Sequence, residues 1–448
     1  MNFGAEEIAG AIGAEVVVRG GPGRPRQAVI ESGAAGEGDL FFGLRGENVD
    51  GGEFAGAALA AGAWGAVVSP GRSEALDGGW VLEVDDPLAA LQVLARVWRR
   101  ALGARVVGIT GSVGKTSVKD ITRALLPGRV HANRENLNTE IGLPLTVLEA
   151  PERTEFLVLE MAMRGHGQIA ELAAIAEPEV GVITNVGPVH IELLGSVAAV
   201  AAAKAELLAA LPTDGVAVAP VDGGELEPHL EGAPSLLRFG PGGDVEAAES
   251  RVLEDGITEA VVAAPTGRET FHFPFVESHN VTNALAAIAV GIALGVPLGE
   301  MADGAASIGF SSFRGERLEL GDGIVLVNDC YNANPLSMRA ALDHLATFGG
   351  GRIAVLGEMG ELGERSAAYH HEVGEHARSH GIDTVIGVGE PARDYDPDEL
   401  VADPEEAADL LAARLEPGDT VLVKGSRSAG LEAVAETLKT LMGDGIDG

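Results

Sequence analysis

The sequence predicts an α/β fold in three domains: a central parallel-sheet domain, a small α/β domain before it and a Rossmann-like domain after it. Three observations carry the prediction. The chain has 448 residues, 46% of them hydrophobic, enough for cores in roughly two to four domains and too apolar for a disordered chain. Short apolar runs alternate with helical patterns, the rhythm of a mostly parallel sheet covered on both faces. Several of those runs end on polar residues, and such sheets hold ligands at the carboxyl ends of their strands.

Residues 1–101 alternate apolar runs with Gly-rich turns: Asp39-Leu-Phe-Phe-Gly-Leu-Arg45, then an Ala-rich helix, then a second strand, Gly65-Ala-Val-Val68. Over 102–311 the order becomes strand, loop, helix. Arg105-Val-Val-Gly-Ile-Thr110 leads into a Gly-rich loop, Phe156-Leu-Val-Leu159 ends on Glu160, and Val180-Gly-Val-Ile183 ends on Thr184-Asn185. The stretch 222–255, rich in Gly, Pro and Glu, reads as a peripheral excursion. Over 312–448 the alternation repeats, with strands predicted at 324–327, 353–356, 384–388 and 420–423 and helices at 337–348, 367–380, 405–415 and 429–442. No solenoid period or heptad repeat is present.

Composition removes several function classes. Thirty-one basic against 67 acidic side chains leave a net charge of −36, which repels nucleic acid and anionic membranes over most of the surface. The single cysteine, Cys330, excludes an internal disulfide and a multi-Cys zinc site, so any metal is held by oxygen and nitrogen. Residues 1–10 carry two Glu and no basic residue before their apolar stretch, the wrong order for a signal peptide. The uncharged runs 54–68 and 280–299 are rich in Ala and Gly and read as buried helices rather than membrane spans. A cytoplasmic monomer without membrane insertion is expected. Only five of the basic residues are Lys, namely Lys115, Lys119, Lys204, Lys424 and Lys439; three of these fall in the segments singled out next.

The strongest local signal is Thr110-Gly-Ser-Val-Gly-Lys-Thr-Ser117, directly after a strand and before a helix. Glycines let backbone N–H groups approach phosphate oxygens, and the helix N-terminus adds its dipole. Lys115 would pair the β and γ phosphates, and Thr116 would hold Mg²⁺. Thr110, Gly111, Ser112, Gly114, Lys115, Thr116 and Ser117 are therefore the candidate nucleotide cradle. The pattern is a P-loop variant, since Ile109 stands where the strict form has Gly. Glu160 and His190 would share the loop's edge of the sheet, as Mg²⁺ ligands or water-positioning groups.

Other candidates are more open on residues alone. Lys204, in Ala202-Ala-Lys-Ala-Glu-Leu-Leu208, is either a solvated helix lysine or part of the site. Asn280 and Asn283 either cap an apolar helix or bond a purine edge. Asp329-Cys-Tyr-Asn-Ala-Asn-Pro335 follows a strand and packs a carboxylate, a phenol and two amides before a proline; it suits a ligand site or a capped turn. His370, His371, His376 and His380 lack the carboxylate-flanked pattern of a metalloprotease and read as a surface helix.

Together these residues resemble the Mur ligases, ATP-dependent amide-bond-forming enzymes of peptidoglycan precursor synthesis, over nearly the whole chain. The general features are 110–117, Glu160, Asn185-Val-Gly-Pro-Val-His190, Lys204 with Glu206, and His279-Asn280 with Asn283. More type-specific are Asn136-Leu-Asn-Thr-Glu-Ile-Gly-Leu-Pro144, Glu160-Met-Ala-Met-Arg-Gly165, the run 329–335, Leu356-Gly-Glu-Met-Gly-Glu-Leu-Gly363 and Lys424-Gly-Ser-Arg427. These point to the type whose substrates are UDP-N-acetylmuramoyl-tripeptide and D-alanyl-D-alanine.

The resemblance implies an N-terminal domain for the UDP end, a central P-loop ATPase domain and a C-terminal Rossmann-like domain for the dipeptide. It implies ATP and Mg²⁺, with Lys115, Glu160, His190 and Lys204 catalytic and Thr116, Glu160, His190 and a carbamylated Lys204 around the metal. Asn280, Asn283, Arg317 and Asp329 match nucleotide positions. Arg45, Asn138, Thr139, Arg164, Tyr331, Asn332, Asn334 and Lys424 are the substrate candidates. There are two departures from the family pattern: Glu31-Ser32-Gly33 stands where the family has Asp-Ser-Arg, so an Arg contact to the UDP end is either missing or supplied elsewhere, as by Arg45, and Ala162 replaces Gly. The competing readings are a Mur-type ligase that adds one amino acid, a folylpolyglutamate-type ligase, and an inactive nucleotide-binding regulator.

Overall fold

The structure, a computed structural model, describes residues 1–443 apart from Glu135, Asp255 and Ser312. The expected boundaries at Asp255 and Ser312 thus lie outside the described residues. The chain forms three successive α/β units.

The N-terminal sheet runs in the order Glu15–Val18, Trp80–Glu83, Gly65–Val68, Leu40–Phe42, Ala28–Val29, antiparallel only at its first pair. The uncharged run 54–68 is the expected Ala-rich helix followed by the second strand, rather than a single buried helix. It divides into the helix Ala55–Ala60 and the strand Gly65–Val68, because Gly62 turns the chain at φ 97°. The helix Pro87–Leu102 starts on Asp86, whose carboxylate accepts from the Leu88 and Ala89 amides, and stops at Gly103 in the left-handed region. Its buried Leu91, Leu94 and Trp98 join a core continuous from Ile8 and Phe42 to Leu143, Leu157 and Met161. The first unit is thereby bonded to one face of the central sheet, with the Trp98 indole donating to the Ala150 carbonyl at 3.2 Å.

The central sheet is wholly parallel, in the order Leu236–Phe239, Val216–Pro220, Val180–Ile183, Arg105–Thr110, Phe156–Glu160, Val130–Ala132. The stretch 222–255 is more than an excursion: it supplies the edge strand Leu236–Phe239 and the strand Glu246–Val252 of a three-stranded antiparallel sheet. The exposed, polar sequence of Glu246–Val252 hid it from a reading based on apolar runs. On the other face the apolar helix Ser278–Ala293 is buried along Ala284–Gly291.

The C-terminal sheet runs Glu316–Glu319, Val325–Asn328, Thr420–Lys424, Arg352–Leu356, Thr384–Val388, Glu399–Val401, antiparallel only at its first pair. Its helices Pro335–Leu345, Ser366–Ser379, Pro404–Arg414 and Glu432–Gly443 follow the predicted alternation. His370 departs from the expected surface helix. It is buried, and its Nε2 accepts from the Met359 amide at 2.9 Å. No helix among the described residues is long and apolar enough to cross a membrane.

Candidate active site

The strand Arg105–Thr110 lies mid-sheet, so the loop after it opens at the carboxyl edge, and the helix Lys115–Leu125 begins there. Two glycines fix the loop. A Cβ on Gly111 would lie 1.8 Å from Thr184 Oγ1, and Gly114 adopts φ 81° with room for nothing but hydrogen before Asn283 Oδ1 at 2.5 Å. Asn185 clamps the loop from the neighbouring strand: its Oδ1 accepts from the Val113 amide at 2.9 Å and its carbonyl from the Ser112 amide at 3.1 Å. The Lys115 ammonium donates to the Gly111 carbonyl at 2.8 Å. Burial lowers the Lys115 pKa, with Glu160 opposing and Arg314 adding to the shift.

Glu160 ends its strand almost wholly buried, and both its oxygens are in use. Oε2 accepts from the Thr116 hydroxyl at 2.7 Å and Oε1 from the Asn138 amide at 2.9 Å. A hydroxyl and a carboxylate beside an anion-binding helix terminus are the hard oxygen donors that Mg²⁺ takes. His190 sits at φ 53°, a left-handed conformation held at a cost in strain. Its Nδ1 pairs with Glu361, which is itself left-handed at φ 61° and comes from the C-terminal unit. Burial lowers the His190 pKa; Glu361 opposes, and Lys115 and Lys204 reinforce the lowering.

Lys204 is no solvated helix lysine. It is 2% exposed on the helix Val197–Ala209 and makes no hydrogen bond or ion pair among the described residues. Burial, then repulsion from Lys115, pushes its pKa far down, which favours the neutral amine.

Two adjoining cavities, of about 830 and 710 Å³, open between the central and C-terminal units. Ser112, Gly114, Lys115, Thr116, Ser117, Asn138, Thr139, Glu160, Arg164, His190, Asn280, Asn283, Asp329, Tyr331, Asn332, Asn334 and Lys424 all line one or both. Thr110, Gly111 and Lys204 are buried and line neither cavity. Asn283 donates to Asn280 Oδ1 at 3.1 Å, and Asn280 lies 3.3 Å from Glu277. Opposite them, the buried Lys424 ammonium pairs with Asp329 at 2.6 Å and holds the Asn332 carbonyl at 3.0 Å. Asn334 is both cavity wall and helix cap, its Oδ1 accepting from the Ser337 amide at 3.0 Å.

Two candidates are not brought to the cavities. Arg45 is exposed after the strand Leu40–Phe42, bridged to Asp50 within the N-terminal unit. Arg317 points out from the edge strand Glu316–Glu319 and pairs with Glu319 at 2.9 Å. Arg314, three residues earlier, reaches the cavity in its place: its guanidinium stacks over Tyr331 at 4.1 Å, and its buried Nε has no partner. Sequence reading also passed over Glu277 and His344, which face each other across the unit boundary at 3.6 Å. Glu277, two residues before His279-Asn280, carried a signal; His344, inside a helix, carried none.

Two family models match this chain, "Mur ligase middle domain" over residues 109–291 and "Mur ligase, glutamate ligase domain" over 314–427. A UDP-N-acetylmuramoyl-tripeptide–D-alanyl-D-alanine ligase of Synechocystis sp. is 39% identical over 426 residues, 90% of this chain and 89% of the relative. Among solved structures, MurF from Acinetobacter baumannii superposes with a TM-score of 0.89 at 28% identity, covering 98% of this chain and 99% of that one. MurF ligase from Thermotoga maritima in complex with ADP gives 0.83 at 32% identity, covering 94% and 98%.

Proposed function

The chain belongs to the Mur ligase family, and from that premise we infer that it joins D-alanyl-D-alanine to UDP-N-acetylmuramoyl-tripeptide, converting ATP to ADP and phosphate. The observation that carries the inference is one cavity wall built from two units. The phosphate loop, Thr116 and Glu160 stand on the central side; Tyr331, Asn332, Asn334 and Lys424 stand on the other. A nucleotide and an incoming dipeptide can therefore meet a carboxylate between them.

The reaction proceeds in two displacements. The tripeptide's terminal carboxylate attacks the γ-phosphorus, ADP leaves, and an acyl phosphate forms. The dipeptide amine then attacks the acyl carbon, and the tetrahedral intermediate expels inorganic phosphate with loss of a proton from nitrogen. Catalysis of this kind is positioning plus neutralisation of transferring charge. Lys115 and the loop amides hold the β and γ phosphates, and Arg314 adds a second cation above Tyr331. Arg164, which lies 3.4 Å from Glu361, faces the muramoyl-peptide with Thr139. Asn138 acts on that side through Glu160, which it orients.

Thr116, Glu160 and His190 would hold Mg²⁺, which would supply charge neutralisation for the transferring phosphoryl group. Lys204 completes that set as a carbamate. Its buried amine, shifted towards the neutral form, would add to CO₂ through an N–C bond with loss of one proton, and the resulting anion would lie near Lys115 and His190. The UDP end rests on the N-terminal domain, residues 1–101, and residues 102–311 and 312–448 are the ATPase and dipeptide domains. The reading takes the enzyme to be a cytoplasmic monomer, consistent with one chain supplying both walls of the cavity. Mass spectrometry of the product tests the reading: incubation with both substrates and Mg²⁺-ATP yields a UDP-linked pentapeptide. A product extended by a single amino acid would assign the chain to another branch.

A further inference from the structure

A second cluster of ligand atoms lies in the C-terminal unit, away from the ATP site. The helix Pro335–Leu345 starts at the cavity wall on Asn334 and carries Asp343 roughly 14 Å further along its axis. Against it packs the helix Ser366–Ser379, whose last turn carries His376, with His380 four residues on at its C-cap. Asp343 Oδ1 lies 2.6 Å from His376 Nε2 and 3.8 Å from His380 Nε2, and the three atoms fall within 4.8 Å of one another. The two imidazoles stack, with centroids 3.9 Å apart and planes inclined by 22°. The carboxylate that the sequence around the histidines lacks thus comes from another helix.

Hydrogen bonding decides what this cluster wants. His380 Nδ1 stands 2.9 Å from the His376 carbonyl oxygen, which only accepts, so the ring proton is on Nδ1 and the lone pair is on Nε2. A proton on His376 Nε2 satisfies Asp343 on that side. It leaves His380 Nε2 and Asp343 Oδ1, two acceptors, facing each other. The three ligand atoms lie within 4.8 Å of one another, so a small turn of the two rings out of their stack lets one divalent cation take a lone pair from each.

We propose that Asp343, His376 and His380 form a transition-metal site, most suited to Zn²⁺, with two imidazole nitrogens, one carboxylate oxygen and water as the fourth ligand. Two nitrogens and one oxygen are a borderline-soft donor set that selects Zn²⁺, Co²⁺ or Ni²⁺ over Mg²⁺. His376 is 19% exposed, while Asp343 and His380 are about half exposed, so the ion enters from solvent and settles against a partly buried ring. The bound ion ties the helix that carries Asn334 at one end, and His344 opposite Glu277 at the other, to its neighbour. It is a structural staple rather than a part of phosphoryl transfer.

The test uses the full chain, stripped with EDTA and titrated with Co²⁺ in excess Mg²⁺ and followed by visible d–d absorption. The wild type saturates at one Co²⁺ per chain, Zn²⁺ displaces it, and Zn²⁺ raises the unfolding midpoint. Removal of a ligand in His380→Ala weakens binding at least about tenfold, since even outer-shell changes cost that much. Asp343→Asn, which keeps the helix end intact, does the same and guards against a folding effect. Absence of d–d bands, displacement by Mg²⁺ alone, or equal affinity in the wild type and both variants overturns the proposal.

Discussion

Replacing Gly111 with alanine strikes the phosphate cradle at its tightest point. The added methyl would stand 1.8 Å from Thr184 Oγ1, 3.0 Å from Thr184 Cβ and 3.2 Å from the Thr184 amide nitrogen. The hydroxyl is not free to swing away, because it donates to the Val113 carbonyl. The backbone is held too, the Thr184 amide donating to the Thr110 carbonyl at 2.9 Å. Overpacking of this kind costs about 1–3 kcal/mol, and Gly111→Ala loses stability in that range. Displacing the loop also moves the carbonyl that anchors Lys115, so ATP affinity falls at least about tenfold, or 1.4 kcal/mol. Thr184→Ala removes the nearest oxygen, and the double variant recovers part of both losses, with a coupling of about 0.5–3 kcal/mol. Gly33→Ala, with nothing within 4 Å of the new methyl, serves as control. Urea unfolding and calorimetric ATP titration on the four proteins of the cycle give every term. Wild-type stability and ATP affinity in Gly111→Ala, or strict additivity in the double variant, would falsify the steric account.

Three further predictions concern charge. Lys115→Ala lowers turnover by at least about a hundredfold to a thousandfold, the scale of losing one preorganised donor, in a steady-state phosphate assay that also verifies intact folding by circular dichroism. Lys204→Ala loses activity and regains part of it with added formate or acetate; full activity without any additive contradicts the carbamate. Stability falls as the medium is acidified below about pH 6.5. His131 and His370 are held neutral by burial, their pKa values below the ordinary 6.5. In that window the unfolded chain binds protons that the folded chain refuses, and unfolding is favoured down to the folded-state pKa. His370→Gln removes one such proton and makes the acid limb shallower by up to about 1.4 kcal/mol per pH unit, read from urea midpoints; an unchanged limb refutes it.

The central site was legible because its chemistry sits at strand ends. Thr110 to Ser117, Glu160 and Thr184-Asn185 each follow an apolar run, and parallel pairing necessarily gathers those ends on one edge. Among the strands that escaped, Glu316–Glu319 and Glu246–Val252 are polar edges whose pairing depends on neighbours distant in sequence. Family position points to Arg317, but strand geometry turns it to solvent, while Arg314, just before the strand, folds over Tyr331. Contacts such as His190 with Glu361, or Asp343 with His376, join helices and loops far apart in the chain. No local pattern encodes them. The isolation of Lys204 was equally invisible, since its helix has almost no polar face to orient it.

Phosphate release from Mg²⁺-ATP by the purified chain tests the central claim most directly, with UDP-N-acetylmuramoyl-tripeptide alone, D-alanyl-D-alanine alone, and both together. The account predicts sustained release only with both. Release with neither, release when a single amino acid replaces the dipeptide, or ATP binding without release in any mixture contradicts it.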